Sequence, residues 1–208
     1  MIKGSKLNKE QESLREKKTA YHHGNLRKAL IEEGIYMVHE DGMQTFSLRK
    51  LAKRVGVSAA ACYNHFANVQ ELVHAMMAYI SERFVQALQQ AVEKSTDSSV
   101  MICMGRAYVE FFARNPHYFS VLFDSENVDI HITEDSILYS GKNEPFQLFV
   151  QEALKGAAGN GEAEGEAFRD RLLTMWAMVH GFAAMANMKG FRYEGDWGVL
   201  VEKILKKL

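Results

Sequence analysis

Proline is scarce in this chain: among 208 residues, only Pro116 and Pro145 are prolines. Because proline removes a backbone hydrogen-bond donor and clashes with the preceding helical turn, long segments without it can remain helical. Hydrophobic residues make up 47% of the chain, which is enough to bury a sizeable core. The sequence therefore predicts an all-α fold.

Cysteine usage and hydropathy predict where the protein works. Cys62 and Cys103 are too few for a disulfide framework, and no charged and then apolar leader begins the chain. No segment reaches about 18 consecutive apolar residues, because even residues 175–188 are interrupted by His180 and Asn187. We therefore expect a cytoplasmic protein that does not partner with a membrane.

Charge is distributed unevenly along the sequence. Residues 1–75 carry 12 Lys and Arg against 8 Asp and Glu, whereas the remaining residues carry 13 against 18. A basic first third attached to an acidic remainder indicates that the first part meets a polyanion. Residues 1–20 are predicted to be a basic polar arm, and two interpretations of it stay open: a solvated tail, or an arm that follows DNA.

Local signals in the N-terminal third predict three helices. Residues 25–42 place apolar side chains at helical spacing, start at the capping residue Asn25 and end in a glycine. Ser47 is suited to cap a short second helix, Gly56 to end it in the left-handed conformation, and Ser58 to cap a third helix. Two short helices joined by so tight a turn are a helix-turn-helix.

The outward face of this unit carries side chains suited to DNA. Four cations, which suit sequence-independent attraction to phosphates, lie on the second helix: Arg49, Lys50, Lys53 and Arg54. On the third helix Asn64 can read an adenine, whereas Tyr63 and His65 are better suited to phosphates. The predicted DNA-contacting residues are Ser47, Arg49, Lys50, Ser58, Ala59, Ala60, Tyr63, Asn64 and His65. The competing interpretation is a helical hairpin that merely packs.

Several short motifs are specific when taken as a set. Over the first 75 residues they are Leu48-Arg49-x-Leu51-Ala52, Gly56-Val57-Ser58, Tyr63-x-His65-Phe66 and Leu72. In these motifs the chain resembles the tetracycline-repressor (TetR) family of regulators. It also resembles one subgroup at Tyr21-His22-His23-Gly24-Asn25-Leu26-Arg27, at Ala60-Ala61, and at Trp176 and His180-Gly181 of a Trp-His-Gly type C-terminal domain.

The resemblance implies a fold and a function. It implies a three-helix DNA-binding domain over residues 21–68, followed over residues 69–208 by a helical-bundle domain that dimerises and binds a ligand. The third helix would lie in the major groove, and the homodimer would bind a palindromic double-stranded DNA operator. Relatives usually carry lysine where this chain has Val69, and subgroup members often carry arginine where it has Asn64. The operator sequence therefore cannot be borrowed from them.

Hydrophobic periodicity predicts the helices of the remaining two thirds. A long helix follows the capping residue Asn68, and Pro116 starts a short one. The other predicted helices cover residues 98–114, 145–158, 165–189 and 197–208. Residues 124–140 show no clear period, so we expect a loop there.

Two sets of residues in this part have candidate binding roles. An aromatic and methionine-rich set is predicted to line a pocket for a small apolar or aromatic effector: Met104, Tyr108, Phe111, Phe112, Phe119, Phe123, Phe146, Trp176 and His180. A second set is predicted to form a four-helix interface between two subunits: Trp176, Val179, Ala183, Ala186, Trp197, Leu200, Val201 and Ile204. For both sets, packing in the subunit's own core is the alternative.

Enzyme motifs are weak in this sequence. Glu71 and His74 have the spacing of a carboxylate-bridged iron site, but no second copy of the pattern follows. Phosphate loops, zinc motifs and nucleophile elbows are absent from the sequence. We therefore expect no catalytic residue, metal or cofactor, and a ligand-responsive repressor that an effector releases from DNA. The competing class is an all-helical small-molecule-binding protein or metal-dependent enzyme without DNA function.

Overall fold

The computed structural model describes residues 25–95, 100–123, 130–134, 136–139, 144–157 and 165–207. The predicted arm over residues 1–20 and the motif at residues 21–24 lie outside the described residues. By its contacts the chain divides into two compact units, the first ending at Met76 and the second beginning at Met77.

The first unit is built from short helices with clear termini. In order these are α1 (Leu26–Asp41), a 3₁₀ turn (Met43–Thr45), α2 (Leu48–Val55), α3 (Ala59–Tyr63) and the beginning of α4 (Val69–Glu93). Helix α1 ends before Gly42 as predicted, where φ is +77°. It begins after Asn25, but the side chain of that residue makes no capping hydrogen bond. The backbone at Asn25 has φ −149° and ψ +40°, outside the extended conformation that directs a capping side chain at the first turn.

The core of the first unit joins α1 to the helices that follow it. Leu30 of α1, Leu51 of α2 and Leu72 of α4 are all fully buried. Gly34 of α1 lies so close to α4 that a Cβ atom in its place would be 2.8 Å from Met76 Sδ. A larger residue at position 34 would therefore separate the two helices.

The second unit is mostly helical. Its elements after α4 are α5 (Val100–Arg114), α6 (Pro116–Phe123), β1 (Ile130–Ile132), β2 (Ile137–Tyr139), α7 (Glu144–Ala157), α8 (Glu166–Asn187) and α9 (Trp197–Leu205). Both prolines lie in the first turn of a helix, where the missing amide hydrogen breaks no helical hydrogen bond. None of the helices in the described part of the chain is long and apolar enough to span a bilayer.

Helix α5 lies at the centre of this unit and packs against both α8 and α9. The buried side chains of the resulting core are Phe84, Leu88, Met104, Tyr108, Val109, Phe112, Val179, Ala183, Val201 and Leu205. Gly105 allows the three helices to approach closely, because a Cβ atom there would be 2.5 Å from Leu205 Cδ1 and 3.1 Å from Val179 Cγ1.

The loop predicted over residues 124–140 is wrong in part, since a β-hairpin lies within it. Strands β1 and β2 are antiparallel, with Ile132 opposite Ile137. Arg169 of α8 donates a hydrogen bond to the Thr133 carbonyl oxygen (3.3 Å) between the strands. Ile130 and Ile137 pack on a second apolar cluster, whose buried residues are Phe146, Val150 and Leu172. Strands of three residues are too short to show an alternating pattern in the sequence.

Candidate functional site

The turn between α2 and α3 is fixed by side-chain and backbone hydrogen bonds within a few residues. The Ser47 hydroxyl accepts a hydrogen bond from the Lys50 amide (3.3 Å), and the Ser58 hydroxyl accepts one from the Ala61 amide (3.2 Å). Between these caps Gly56 is left-handed, with φ +81° and ψ +31°. Both predicted caps and the predicted helix stop are confirmed, and the two helices form a helix-turn-helix.

Buried apolar side chains hold α3 in place. Cys62 of α3 and Phe66 just after it are fully buried, as is Leu51 of α2. The Arg27 guanidinium carbon lies 5.0 Å from the centroid of the Phe66 ring, so a cation packs over this buried ring. The opposite face of α3 is therefore the one that remains available to a partner.

The exposed side chains of α3 become larger and more polar towards its C-terminal end. Ala60 near its start is exposed, and Tyr63 at its end has 49% of its surface exposed. Asn64 is also exposed but is the residue that ends the helix, and the half-buried His65 follows in a turn. Small side chains thus occupy the beginning of α3, where recognition helices contact bases, and larger polar ones occupy its end.

The four cations of α2 are not equivalent, which corrects the interpretation that all four attract phosphate. Arg54 pairs with two carboxylates of α1, Glu40 (2.6 Å) and Glu33. Hydrogen bonds to Glu40 and Glu33 raise the pKa of Arg54. This arginine therefore fixes α2 on α1 and contributes little free charge to the surface.

Of the other three cations, one also makes a defined contact. The Lys50 ammonium donates to the Thr45 carbonyl oxygen (2.9 Å), which leaves its charge exposed. Within the described part of the chain, Arg49 and Lys53 are exposed and make no ion pair. Arg49, Lys50 and Lys53 therefore supply the positive potential of this surface.

Glu71, which the sequence places at the spacing of an iron ligand from His74, caps a helix in the structure. The Glu71 amide donates to Asn68 Oδ1 (2.9 Å), and the Glu71 carboxylate accepts from the Ala67 amide (2.7 Å). These reciprocal bonds cap the start of α4, as the position of Asn68 predicted. Among the described residues, no three His, Cys, Asp or Glu side chains come close enough to hold a metal ion.

Five of the predicted effector-binding residues meet in the second unit. The Tyr108 hydroxyl of α5 lies 3.1 Å from His180 Nδ1 of α8. Around the His180 ring lie the rings of Phe123 (4.6 Å between centroids), Phe119 (5.5 Å) and Trp176 (6.3 Å). Burial raises the pKa of Tyr108 and lowers the pKa of His180, so both side chains are neutral near pH 7. We call these five residues the His180 cluster.

The other predicted effector-binding residues lie around this cluster and not against the His180 ring itself. Phe112 is fully buried and packs against Phe119 (5.5 Å between ring centroids) and Phe123 (5.4 Å). Met104 is buried in the core of the second unit, and the ligand-binding role of both residues stays a prediction. Phe111 stacks near Phe84, with 5.0 Å between ring centroids. Phe146 is buried against Trp176 at 5.3 Å and therefore extends the His180 cluster towards α7.

The predicted subunit interface is also corrected in part. Val179, Ala183 and Val201 lie in the core of their own subunit, with at most 5% of their surface exposed, and have no surface left for a partner. The other five predicted interface residues keep partial exposure: Trp176, Ala186, Trp197, Leu200 and Ile204. On α9, residues 197, 200 and 204 share one side, next to the buried stripe.

Two family models match the two units of the chain. The model described as "Bacterial regulatory proteins, tetR family" matches residues 30–76, and "Tetracyclin repressor-like, C-terminal domain" matches residues 101–208. The second match alone spans more than half of the chain. The chain belongs to the tetracycline-repressor family. It is therefore a helix-turn-helix transcriptional regulator, and its first unit carries the DNA-binding element.

Three similar proteins illustrate this membership of the tetracycline-repressor family. The helix-turn-helix transcriptional regulator YobS of Bacillus subtilis, uncharacterised in function, is 24% identical over 83% of this chain and 85% of its own length. The nicotine-responsive transcriptional repressor HdnoR of Paenarthrobacter nicotinovorans is 32% identical over 34% of this chain and 37% of its own. A solved structure of AibR with isovaleryl coenzyme A and operator DNA has the same fold, with 13% identity, a TM-score of 0.64 and coverage of 88% and 97%.

The sequence patterns did not predict two contacts between side chains. They did not find the pairing of Arg54 with Glu33 and Glu40, because α1 and α2 meet only after folding. They also did not find the hydrogen bond between Tyr108 and His180, whose positions are 72 residues apart. The sequence did contain a signal for this second contact: Tyr108 and His180 are polar residues in apolar helices, and polar groups that become buried need hydrogen-bond partners.

Proposed function

We propose that the protein is a cytoplasmic repressor whose homodimer binds a palindromic operator and is released by a small effector. The observation that carries the proposal is the helix-turn-helix with an exposed α3 face. Family members are DNA-binding regulators, which favours this function over an enzyme. A homodimer on a palindrome would cover the promoter DNA and hinder transcription there.

Each DNA contact is assigned by position on the helix-turn-helix. Ala59 and Ala60, with the capping Ser58, approach the base edges, because they begin α3 and carry no bulk. Tyr63 and His65 contact phosphates, and Ser47, Arg49 and Lys50 do so from α2. Asn64 contacts one base from the end of α3. The Val69 side chain makes no phosphate contact.

Dimerisation is assigned to the half-buried side of α8 and α9. Support comes from an apolar stripe on α9, where Trp197, Leu200 and Ile204 lie on one side and remain partly exposed. A homodimer would carry two identical DNA-binding units, one for each half-site of a palindrome, whose centres lie about 34–36 Å apart on DNA. A monomer would bind only one half-site.

Effector control is assigned to the His180 cluster. An effector that fits one arrangement of the dimer better than the other shifts the population between them, by no more than its difference in affinity. The five residues of the cluster offer apolar rings with one polar pair, which suits a small apolar or aromatic compound.

The DNA contacts can be tested after an operator has been selected from random DNA with the purified protein. Tyr63→Ala should weaken binding to every operator variant, because a phosphate contact carries no sequence information. Asn64→Ala should instead relax preference at one base pair, by about 1–3 kcal/mol. Fluorescence anisotropy with a panel of single-base operator variants measures both effects.

Tyr36→Ala is a matched control, since Tyr36 on α1 is 45% exposed and Tyr63 is 49% exposed. The control should bind the operator as the wild type does. Equal losses over all operator variants for Tyr63→Ala and Asn64→Ala would contradict the assigned roles. Selection of no DNA by the folded protein would contradict the proposed function itself.

The dimer surface is tested with charge substitutions on α9. Leu200→Glu should dissociate the dimer, because it would bury a carboxylate between the two subunits without a partner. Lys203→Asp, on the exposed side of the same helix, is the control and should leave the dimer intact. Sedimentation velocity measures the mass of each species. A wild-type monomer, or a Leu200→Glu dimer, would refute this assignment.

A further inference from the structure

Asn187, the last residue of α8, joins the end of that helix to the end of α5. Its side-chain Nδ2 donates to the Ala183 carbonyl oxygen (2.7 Å) and to the Phe112 carbonyl oxygen (3.4 Å). Phe112 needs such a donor, because the residue four positions after it is Pro116, which has no amide hydrogen. The Asn115 amide reaches the same carbonyl at 3.3 Å. Asn187 therefore helps to replace a hydrogen bond that the proline removes from α5.

These two acceptors fix which way the Asn187 amide faces. A carbonyl oxygen has no hydrogen to donate, so the NH₂ group must face Ala183 and Phe112. The reversed amide would place Oδ1 about 2.7 Å from the Ala183 oxygen, with lone pairs opposed. The positions of the amide nitrogen and oxygen thus follow from their neighbours, and Oδ1 faces away from both carbonyls.

The Oδ1 atom of Asn187 is buried and accepts no hydrogen bond within the described part of the chain. Among those residues, no other buried side-chain nitrogen or oxygen lacks a partner. The bond to Phe112 uses only Nδ2, so a role in capping α5 does not account for the buried oxygen. Because a buried acceptor without a donor is costly, this position favours a molecule that brings a donor.

The surroundings of Asn187 connect it to the His180 cluster. Asn187 lies seven residues after His180, which is two turns further along the same side of α8. The Phe112 ring contacts Phe119 and Phe123, at 5.5 and 5.4 Å between centroids. Both of these rings also contact His180, at 5.5 and 4.6 Å. Aromatic side chains of this kind suit a ligand whose donor is carried on an aromatic body.

We propose that Asn187 Oδ1 is the acceptor that selects the effector, and that the effectors are neutral aromatic compounds bearing a hydroxyl or N–H donor. This rests on the proposed function only in treating the ligand as an effector. A purely apolar compound would leave Oδ1 without a donor. A charged ammonium would lose its hydration for one neutral acceptor, which is insufficient compensation. A carboxylate would place its own oxygens against Oδ1.

The test uses the full chain and three probes of nearly equal size: phenol and aniline, which carry a donor, and toluene, which does not. Saturation-transfer NMR titrations measure the dissociation constant of each. Asn187→Ala should weaken phenol and aniline about tenfold, the loss expected for one hydrogen bond. It should leave the affinity for toluene unchanged, because toluene makes no hydrogen bond to the amide.

Asn115→Ala is the matched control, since Asn115 Nδ2 donates to the Phe111 carbonyl oxygen (2.8 Å) at the same end of α5. Both substitutions remove an amide that caps α5, but only Asn187→Ala removes the buried acceptor. Asn115→Ala should therefore change the affinities for phenol and toluene by the same factor. Circular dichroism establishes that both variants are folded. Failure of phenol and aniline to bind the wild type, or equal losses for phenol and toluene in Asn187→Ala, would overturn the proposal.

A second readout needs no variant. In ¹⁵N-labelled wild-type protein, the side-chain amide signals of Asn187 are assigned through its backbone. They should shift on addition of phenol or aniline, and much less with toluene at the same occupancy. If water is the only donor that Oδ1 accepts from, phenol and toluene will shift these signals equally or not at all, and the proposal is wrong. Operator binding is measured separately, so a folded protein that binds no DNA but keeps these probe responses would refute the proposed function alone.

Discussion

Replacing Gly105 with alanine tests whether close packing of α5 holds the second unit together. The added methyl group would lie 2.5 Å from Leu205 Cδ1 and 3.1 Å from Val179 Cγ1. Leu205 is buried and Val179 is stiff at its first torsion, so neither can move away freely. Overpacking costs about 1–3 kcal/mol, and the better helix propensity of alanine returns about 1 kcal/mol. We expect a net destabilisation of up to about 2 kcal/mol.

Gly156→Ala is the matched control for this prediction. Gly156 lies in α7 with nothing within 4 Å of the position of a Cβ atom, so only the propensity term acts there. It should therefore stabilise the protein by up to about 1 kcal/mol. Urea unfolding followed by circular dichroism measures both variants. If Gly105→Ala stabilised the protein as much as Gly156→Ala does, the close-packing argument would be refuted.

Three further predictions address the caps, the charges and the buried histidine. Ser58→Ala should cost about 1 kcal/mol in urea unfolding because α3 loses its cap, and an unchanged midpoint would contradict this. Arg49→Ala should reduce the salt dependence of operator affinity by about one phosphate contact, whereas Arg54→Ala should lower stability and leave that slope unchanged; anisotropy titrations over a salt series decide. Since the folded pKa of His180 lies below its unfolded value of about 6.5, its contribution to stability should fall as pH drops from about 6.5 towards the folded pKa. Unfolding at several pH values should show a shallower fall for His180→Phe, and equal falls would be evidence against the buried neutral ring.

The features that sequence reasoning predicted correctly depend on neighbours in the chain. Ser47 and Ser58 bond to amides three residues away, and Gly56 is required by its own backbone conformation. Such signals can be read from a short segment because their partners are in it. The helix-turn-helix was therefore predictable almost residue by residue. Asn25 shows the limit, since the correct residue type precedes α1 without making the bond.

Features that depend on distant parts of the chain were less predictable. The period of an apolar stripe states that one face of a helix is buried, but not what buries it. Val179, Ala183 and Val201 were assigned to a partner subunit for this reason, although their own core encloses them. Arg54 was assigned to phosphate because its partner Glu33 is 21 positions away.

The energetics of the His180 cluster constrain the size of its effector. Shifting a two-state equilibrium from 1:99 to 99:1 requires a difference in binding free energy of about 5.5 kcal/mol. One hydrogen bond between the effector and the polar pair of the cluster can supply at most about 1.5 kcal/mol of this. At about 25 cal/mol per Å², the remaining 4 kcal/mol needs roughly 160 Å² of apolar surface that is buried in one state only. One aromatic ring buries about 150–250 Å², so a compound with a single ring is about the smallest that could supply this area. A releasing effector should therefore bury at least one whole aromatic ring against Phe119, Phe123 and Trp176 in one state only, and a smaller compound should bind without releasing DNA.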